Sequence, residues 1–210
     1  MKMGQPRIAL LNAAHAAADT RRNFRRELDA DVAEFHCPSG EFPEGFRYDG
    51  FVVTGSRASV YCYGHQLLAD VLGGSVESMG EYEIGYRTVE QDGDNRLLEG
   101  VSEEMTVFTT HSDHVQEAPP GATVFARNEY GVHGFRKDHA FAVQFHPEYD
   151  METAESVTRG KDGELPAERI EAVIDGIHAD NYEAACEAKV LFDNFLEYVE
   201  ELQLGRIGAD

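Results

Sequence analysis

Apolar runs and helix-like patterns alternate along the first third of the chain, which is typical of an α/β protein. The run Phe51–Val53 is uninterrupted by polar residues, as expected for a strand in the interior of a sheet. Phe24 and Leu28 instead recur at helical spacing, and Gly73 follows a second helical pattern. The patterns predict strands at 7–13, 31–37 and 50–54 and helices at 18–29 and 64–72.

The rest of the chain first favours strands and then helices. Short alternating segments predict strands near 75–79, 84–90, 105–110, 122–128, 131–136 and 141–146. From residue 151 onward the period is helical. This order predicts an open, mixed, largely parallel sheet flanked by helices and followed by a C-terminal helical tail. We assign residues 1–150 to one domain and residues 151–210 to a helical extension packed on the same domain.

The charge balance is strongly acidic and restricts the possible partners. The 210 residues include 39 Asp and Glu against 18 Lys and Arg, for a net charge of −21. Nucleic acids and anionic membranes are bound mainly through Lys and Arg, so neither is expected as a partner. Such a surface is typical of proteins from salt-accumulating halophiles, although a generally acidic soluble protein is the alternative.

Composition also indicates where the protein works. Hydrophobic residues make up 42% of the chain, enough for one sizeable core. No segment approaches the roughly 20 apolar residues of a membrane span, and the N-terminal apolar run is short enough to be a strand. The cysteines Cys37, Cys62 and Cys186 have no regular spacing, so no disulfide framework is expected. These features predict a cytoplasmic protein.

Two short motifs carry the candidate chemistry. Cys62 opens the motif C-Y-G-H-Q, and His146 and Glu148 belong to the motif F-H-P-E further along the chain. A cysteine nucleophile needs a base to take its proton and a carboxylate to orient that base. In an extended segment residues i and i+2 share a face, so Glu148 can lie beside His146. The alternative for Cys62 is a thiol at the start of a helix with no chemistry.

Together with two further segments, these motifs make the chain resemble the class I, triad-type glutamine amidotransferases. The resemblance rests on Asp49–Ser56, Cys62–Gly74, His111–Asp113 and Ala142–Glu148. It is greatest to the amidotransferase subunit of GMP synthase, and it implies a flavodoxin-like fold. In that family a cysteine attacks the side-chain amide of glutamine, releases ammonia and leaves a glutamyl thioester that water hydrolyses.

The resemblance implies roles for residues of this chain. Cys62 would be the nucleophile, His146 the general base and then acid, and Glu148 the carboxylate that orients the imidazole. Gly55 and the backbone amide of Tyr63 would form the oxyanion hole. The amino-acid end of L-glutamine would be held by Ser56, Gln66, His111, Ser112 and Asp113.

His111 is the residue for which a metal site has to be considered. Asp113 and His114 lie close to it in sequence, but no further protein ligand follows at a spacing typical of metal sites. We therefore expect neither a metal nor another cofactor. His65 is interpreted as structural, since the nucleophile needs only one base.

The segment before the nucleophile departs from the family pattern. The family places a helix and a buried strand between the glycine loop and the cysteine, with a glycine two positions before the cysteine. Here only the six residues Ser56–Tyr61 separate Gly55 from Cys62, and Val60 occupies the glycine position. A crossover to a parallel strand needs about a dozen residues. Either Ser59–Tyr61 form a short strand or the sheet lacks one member, as though a strand and a helix had been deleted.

Two classes of function follow from these observations. The first is an enzyme that hydrolyses the side-chain amide of L-glutamine, or another γ-glutamyl amide that the same triad could cleave. The chain contains no motif resembling the nucleotide-binding loop of ATP pyrophosphatases. An ammonia-accepting synthetase, such as that of a GMP synthase, would therefore be a separate polypeptide. The second class is a catalytically impaired member of the family that binds glutamine or a protein partner without turnover.

Overall fold

The computed structural model describes residues 5–15, 17–55, 63–91 and 95–207. Its strands are β1 (Arg7–Asn12), β2 (Asp31–His36), β3 (Gly50–Val53), β4 (Ser75–Gln91), β5 (Glu104–Glu117), β6 (Thr123–Asn128), β7 (Gly131–Lys137) and β8 (Ala140–Val143). Its helices are α1 (Ala17–Glu27), α2 (Tyr63–Val71), α3 (Met151–Arg159), α4 (Ala167–Asp175), α5 (Ala179–Ala185) and α6 (Val190–Gln203). The predicted C-terminal helical tail is confirmed. Within the described ranges, no helix is both long and apolar enough to span a membrane.

A three-stranded parallel sheet forms the N-terminal part of the fold. The strand order is β2-β1-β3, with Ile8 paired to Val32 on one side and to Gly50 on the other. Ile8 is fully buried, and Phe24 and Leu28 of α1 pack in the same core. The helical spacing of these two residues in the sequence is thus explained by their packing against β1 and its neighbours.

The remaining strands form a five-stranded antiparallel sheet in the order β5-β4-β6-β7-β8. Its longest strand, β4, covers both of the strands predicted at 75–79 and 84–90, so their separation is wrong. The two parts are joined by Met79–Tyr82. This segment forms a β-bulge, because the pairing register between β4 and β5 shifts between Ser78 and Glu83. After the bulge, Glu83 is paired with His111 of β5.

The described strands do not form the single, largely parallel sheet that the pattern predicts. Among the residues that the structure describes, β3 pairs only with β1 and β8 only with β7, so each is an edge of its own sheet. The segment Ser59–Tyr61, which the sequence offers as a short additional strand, lies outside the described ranges. The connection between Gly55 and Cys62 is too short for a full crossover. In the described part of the chain, the parallel arrangement is limited to three strands.

The segment His111–Asp113 belongs to a strand. It lies within β5, and this strand continues to Glu117 beyond the predicted range 105–110. Pairing with Glu83 and the first part of β4 accounts for the extension. Because side chains alternate along a strand, His111 and Asp113 share one face of the sheet and Ser112 faces the other.

The helix α6 joins the two sheets. Leu191, Phe192 and Leu196 of α6 are buried in one core with Ile8 of the parallel sheet and Phe125 of the antiparallel sheet. Burial of this apolar stripe explains why the helical pattern is clear in the sequence. Residues beyond 150 thus share a core with the strands, and the assigned boundary at residue 150 stays a prediction.

Candidate active site

His146 and Glu148 lie together just beyond the end of β8. The Nδ1 atom of His146 is 2.9 Å from Oε1 of Glu148, and both side chains are buried. The backbone amide of His146 donates to the carbonyl oxygen of Phe108 on β5, 2.9 Å away, which holds the segment against the sheet. A carboxylate at Nδ1 keeps the proton of a neutral imidazole on that nitrogen, so Nε2 is the nitrogen that can accept a proton. The structure thus brings together the pair that the F-H-P-E motif predicts.

Two residues that the sequence analysis missed support this pair. The ring of Tyr149 stacks on the imidazole of His146, with ring centroids 4.3 Å apart and planes inclined by 11°. The guanidinium of Arg26 in α1 donates to the carbonyl oxygen of Glu148 and to a carboxylate oxygen of Asp150. Both distances are 2.8 Å. Tyr149 directly follows the F-H-P-E motif, so its position in the sequence indicates that it lies near the site. Nothing in the sequence connects Arg26 with the motif.

Gly55 lies beside the imidazole of His146. A Cβ atom on Gly55 would be 3.2 Å from Cε1 of that ring. Gly64 in the first turn of α2 is similarly close to β3, since a Cβ atom there would be 2.9 Å from the carbonyl oxygen of Val53. The absence of side chains at both glycines lets the first turn of α2 and the end of β3 approach each other next to His146.

The proposed nucleophile is not among the described residues. Cys62 and Ser56 lie outside the described ranges, and of Tyr63 only the backbone is described, as the first residue of α2. The helix therefore begins one residue after Cys62, and helix N-termini favour negative charge. The roles assigned to Cys62, Ser56 and the Tyr63 amide stay predictions.

A buried polar network lies along the first turn of α2. Gln66 is fully buried, and its Nε2 atom donates to the carbonyl oxygen of Asp113 at 2.7 Å and to Oε1 of Gln144 at 3.2 Å. His65 contacts the same oxygen of Gln144 through Nδ1 at 2.9 Å. Burial lowers the pKa of His65 to about 3, so its imidazole is neutral near pH 7. Gln66 and Asp113, both predicted to contact substrate, therefore contact each other.

Three further side chains form a buried cluster around Glu83. The Oε2 atom of Glu83 lies 2.7 Å from Nε2 of His111 and 3.1 Å from Nε2 of His133. Its Oε1 atom accepts a hydrogen bond of 2.6 Å from the side-chain amide of Asn128. Of the described residues, the carboxylate and the two imidazoles form the set that could hold a metal ion, with ligand atoms within 4.8 Å of one another. His114, considered as a ligand from the sequence, instead contacts a backbone carbonyl through Nδ1.

The site opens into a cavity of about 600 Å³ between β3 and β8. Gly55, His146 and Glu148 line its polar end, and apolar side chains such as Phe51 and Phe141 form much of the remaining wall. Both sheet edges contribute to this wall, together with α6. A cavity of this size is typical of small-molecule sites.

The chain is similar to known glutamine amidotransferases in part of its sequence and in its fold. Residues 61–159 match the family model of class-I glutamine amidotransferases. The crystal structure of a glutamine amidotransferase from Thermotoga maritima superposes with a TM-score of 0.75 at 20% identity, covering 93% of this chain and 100% of that chain. A glutamine amidotransferase structure from Methylobacillus flagellatus gives a TM-score of 0.70 at 16% identity, covering 93% and 95%. The α/β fold is confirmed, and over residues 61–159 the chain is similar to the class-I glutamine amidotransferases.

Relatives among the curated proteins are more specific. The glutamine-hydrolysing GMP synthase of Pyrobaculum aerophilum is 44% identical over 88 residues, which are 41% of this chain and 17% of the relative. That of Campylobacter lari is 33% identical over 152 residues, covering 61% of this chain and 30% of the relative. The chain spans less than a third of the length of these relatives. Over the matched stretches, this chain is similar to glutamine-hydrolysing GMP synthases.

Proposed function

We propose that this domain hydrolyses the side-chain amide of L-glutamine to glutamate and ammonia through Cys62, His146 and Glu148. The observation that carries the proposal is the buried His146–Glu148 pair, with Nδ1 and Oε1 2.9 Å apart, beside Gly55. α2 begins one residue after Cys62, which is where a cysteine nucleophile gains from the helix N-terminus. The family match and the GMP synthase relatives support this reaction.

The reaction proceeds in two covalent steps. His146 takes the proton of the Cys62 thiol on Nε2, and the thiolate attacks the amide carbon of glutamine. Backbone amides at Gly55 and Tyr63 stabilise the tetrahedral oxyanion. Its collapse breaks the C–N bond, and His146 returns the proton to the departing ammonia. Water deprotonated by His146 then hydrolyses the thioester to glutamate and regenerates the thiol, while Glu148 stabilises the imidazolium in both steps.

Recognition of the amino-acid end of glutamine is assigned to the network along α2. Two of its buried acceptor atoms, Oε1 of Gln66 and Oδ2 of Asp113, have no hydrogen-bond partner among the described residues. Buried acceptors are normally satisfied, and the α-ammonium group of glutamine is a donor that suits them. Ser56 and His111 are also assigned to this end of the substrate. The side chain of Ser112, assigned with them from the sequence, faces the other side of the sheet from His111 and Asp113.

An ammonia-accepting synthetase is the proposed partner in the cytoplasm. The similar curated proteins are glutamine-hydrolysing GMP synthases, and this chain covers less than a third of each. If the proposed reaction is right, this chain releases ammonia that a synthetase of this kind can use. A GMP synthase-type acceptor is therefore the first to test, by measuring whether it accelerates ammonia release by this chain.

A second candidate function is binding of glutamine or a protein without turnover. It is favoured by the two open sheet edges, β3 and β8, since no described strand delivers the nucleophile between them. The alignment with the Campylobacter GMP synthase is 152 residues long but takes in only 61% of this 210-residue chain. The relative therefore has residues in that stretch without a counterpart here.

Covalent labelling distinguishes the two functions. The protein is incubated in molar KCl with 6-diazo-5-oxo-norleucine, an electrophile that mimics glutamine, and its intact mass is measured. We expect a single adduct that Cys62→Ala abolishes. Cys37→Ala and Cys186→Ala, which remove half-buried free thiols, leave the adduct in place. Absence of an adduct on folded wild-type protein would contradict the enzymatic function and favour the binding function.

Glu148→Gln separates catalysis from binding. The substitution keeps the shape of the side chain but removes the charge that stabilises the imidazolium of His146. We expect hydrolysis of glutamine to slow by about 10²-fold or more, while the affinity for glutamine measured by calorimetry stays unchanged. Ammonia release from L-glutamine, compared with that from other γ-glutamyl amides, identifies the substrate.

A further inference from the structure

One carboxylate and two imidazoles, each from a different strand, meet within the antiparallel sheet. Oε2 of Glu83 on β4 lies 2.7 Å from Nε2 of His111 on β5 and 3.1 Å from Nε2 of His133 on β7. The three atoms lie within 4.8 Å of one another, and each side chain is at most 1% exposed. Strand pairing brings them together, as in the pair Glu83–His111. The spacing along the sequence, from which no metal is expected, therefore did not reveal this set.

Nε2 of His111 is a buried nitrogen to which the described residues offer no hydrogen bond. Nδ1 lies 2.9 Å from the carbonyl oxygen of Asp113, which can only accept, so Nδ1 carries the hydrogen of a neutral ring. Burial lowers the pKa of His111, so Nε2 has only a lone pair to offer near pH 7. Oε2 of Glu83 is 2.7 Å away, yet the two atoms form no hydrogen bond. A buried lone pair beside a carboxylate oxygen is unfavourable unless a cation binds both.

The contacts around these side chains are those that orient metal ligands in proteins. A histidine that binds a metal almost always donates the hydrogen of its other ring nitrogen to an oxygen, and a ligating carboxylate is itself hydrogen-bonded. Nδ1 of His111 makes such a contact with the carbonyl oxygen of Asp113. Oε1 of Glu83 accepts from the side-chain amide of Asn128 at 2.6 Å. Nε2 of His111 and Oε2 of Glu83 are thereby left to bind an ion.

The separations of the ligand atoms suit a divalent transition metal. Zinc binds histidine nitrogens and carboxylate oxygens at about 2.0–2.2 Å, so two such atoms at a right angle lie about 3.0 Å apart. The distances of 2.7 and 3.1 Å from Oε2 of Glu83 differ from this value by no more than a few tenths of an ångström. A bound ion would replace the hydrogen bond between His133 and Glu83. Magnesium and calcium suit the set poorly, because they prefer oxygen ligands throughout.

We propose that Glu83, His111 and His133 bind one divalent transition-metal ion of the zinc type. The ion is structural, since it ties together β4, β5 and β7, and none of its ligands is among the described residues that line the cavity beside the triad. With both ring nitrogens engaged, His111 acts on glutamine only through the carbonyl oxygen of Asp113, which also accepts from Gln66 at 2.7 Å. The metal site itself does not depend on the proposed function.

Metal binding is tested by refolding, because buried ligands acquire their ion as the chain folds. The protein is unfolded in guanidinium chloride with EDTA, desalted in guanidinium chloride, and refolded in molar KCl with Zn²⁺, with Co²⁺ or without metal. After removal of excess metal, we expect one ion per chain by elemental analysis and visible absorption bands from Co²⁺. The melting temperature should exceed that of the metal-free protein. Refolded protein with far less than one ion per chain and no Co²⁺ bands would overturn the proposal.

Substitutions test the ligand set against a matched control. Glu83→Gln and His133→Gln should each weaken binding of Co²⁺ tenfold or more, since even outer contacts of a metal site are worth 10- to 100-fold. The control is His114→Gln, which removes a histidine of β5 that also contacts a backbone carbonyl through Nδ1. It should retain one ion per chain, which separates this site from adventitious binding by surface carboxylates. Equal Co²⁺ affinity in Glu83→Gln and His114→Gln would overturn the assignment.

X-ray absorption spectroscopy of the zinc-loaded wild-type chain examines the ligands without any substitution. We expect scattering from two imidazoles and a first shell of nitrogen and oxygen at about 2.0–2.2 Å. A sulfur ligand, or a spectrum without imidazole scattering, would overturn the proposal.

Failure of this inference is distinguishable from failure of the proposed function. Labelling of Cys62 tests the function and requires no measurement of metal. Bound metal without an adduct would reject the function and support the site, whereas an adduct on a chain that binds no metal would do the reverse.

Discussion

Gly55 faces His146 so closely that a Cβ atom on residue 55 would lie 3.2 Å from Cε1 of the imidazole. This separation is shorter than ordinary van der Waals contact, so any side chain at residue 55 displaces the ring by a few tenths of an ångström. The ring is held on its other sides by Glu148 and by stacked Tyr149. It therefore has little room to adjust without losing its alignment.

Gly55→Ala should slow the labelling of Cys62 on the order of tenfold, because small misplacements of a catalytic group are costly. The rate of adduct formation measures the effect, and the melting temperature should change little. Gly64→Ala is the comparison. Its Cβ atom would be 2.9 Å from the carbonyl oxygen of Val53, a backbone atom, so we expect a loss of stability as well. A wild-type labelling rate in Gly55→Ala would show that this contact does not limit His146.

Arg26→Lys should weaken the attachment of the catalytic segment to α1. The guanidinium donates to Glu148 and Asp150 with separate nitrogens, and a lysine ammonium cannot reproduce that fork. We expect a loss of about 1 kcal/mol in the free energy of unfolding, measured by urea denaturation, and slower labelling of Cys62. Arg25→Lys, at an exposed neighbouring position, should change neither quantity. Equal behaviour of the two variants would argue against a role for Arg26.

Acid should destabilise the protein through His65. The unfolded chain protonates this residue near pH 6.5, whereas the folded protein does so only near pH 3, because burial lowers its pKa. Between pH 6.5 and 4.5 the unfolded state therefore binds more protons, and the free energy of unfolding falls as the pH falls.

The contribution of His65 approaches 1.4 kcal/mol per pH unit once the unfolded histidine is fully protonated, at about pH 5. His65→Gln should flatten the pH dependence of urea denaturation in this range. His15→Gln, which changes an exposed histidine, is the control and should leave the slope as it is. An unchanged slope in His65→Gln would mean that His65 does not stay neutral in the folded protein.

Salt should stabilise the protein because the chain carries a net charge of −21. Repulsion among its carboxylates acts over about 10 Å in 0.1 M salt but only about 3 Å in 1 M salt. We expect the melting temperature, followed by circular dichroism, to rise steadily with KCl up to the molar range. Sucrose, which does not screen charge, separates this effect from general exclusion of solutes. No rise with KCl would contradict an electrostatic cost of folding.

The sequence predicts features that depend on local spacing. Helical periodicity located α1, α2 and the C-terminal helical region, of which α6 buries the clearest apolar stripe. The pairing of His146 with Glu148 also follows from local geometry, since an extended backbone turns residues i and i+2 to one face. These are the parts of the fold and the site that need no knowledge of distant contacts.

Features that depend on distant contacts could not be predicted. Arg26 is joined to Glu148 only by the packing of α1, and Glu83 reaches His111 only through the register shift in β4. The sequence predicts that a strand ends at residue 79, next to the bulge residues Met79–Tyr82, whereas β4 continues to Gln91. His111–Asp113 likewise extends β5 beyond its predicted end, because the side chains of His111 and Asp113 are buried in a polar network instead of in an apolar core.

The position of α6 sets an order of events during synthesis. Because Leu191, Phe192 and Leu196 complete the core shared by both sheets, neither sheet can finish burying its apolar face before residues 190–203 leave the ribosome. During that interval the open edges of β3 and β8 are available for pairing with other chains. The nascent protein is therefore most prone to aggregate just before this helix docks, when the mutual repulsion of its acidic surface is its main protection.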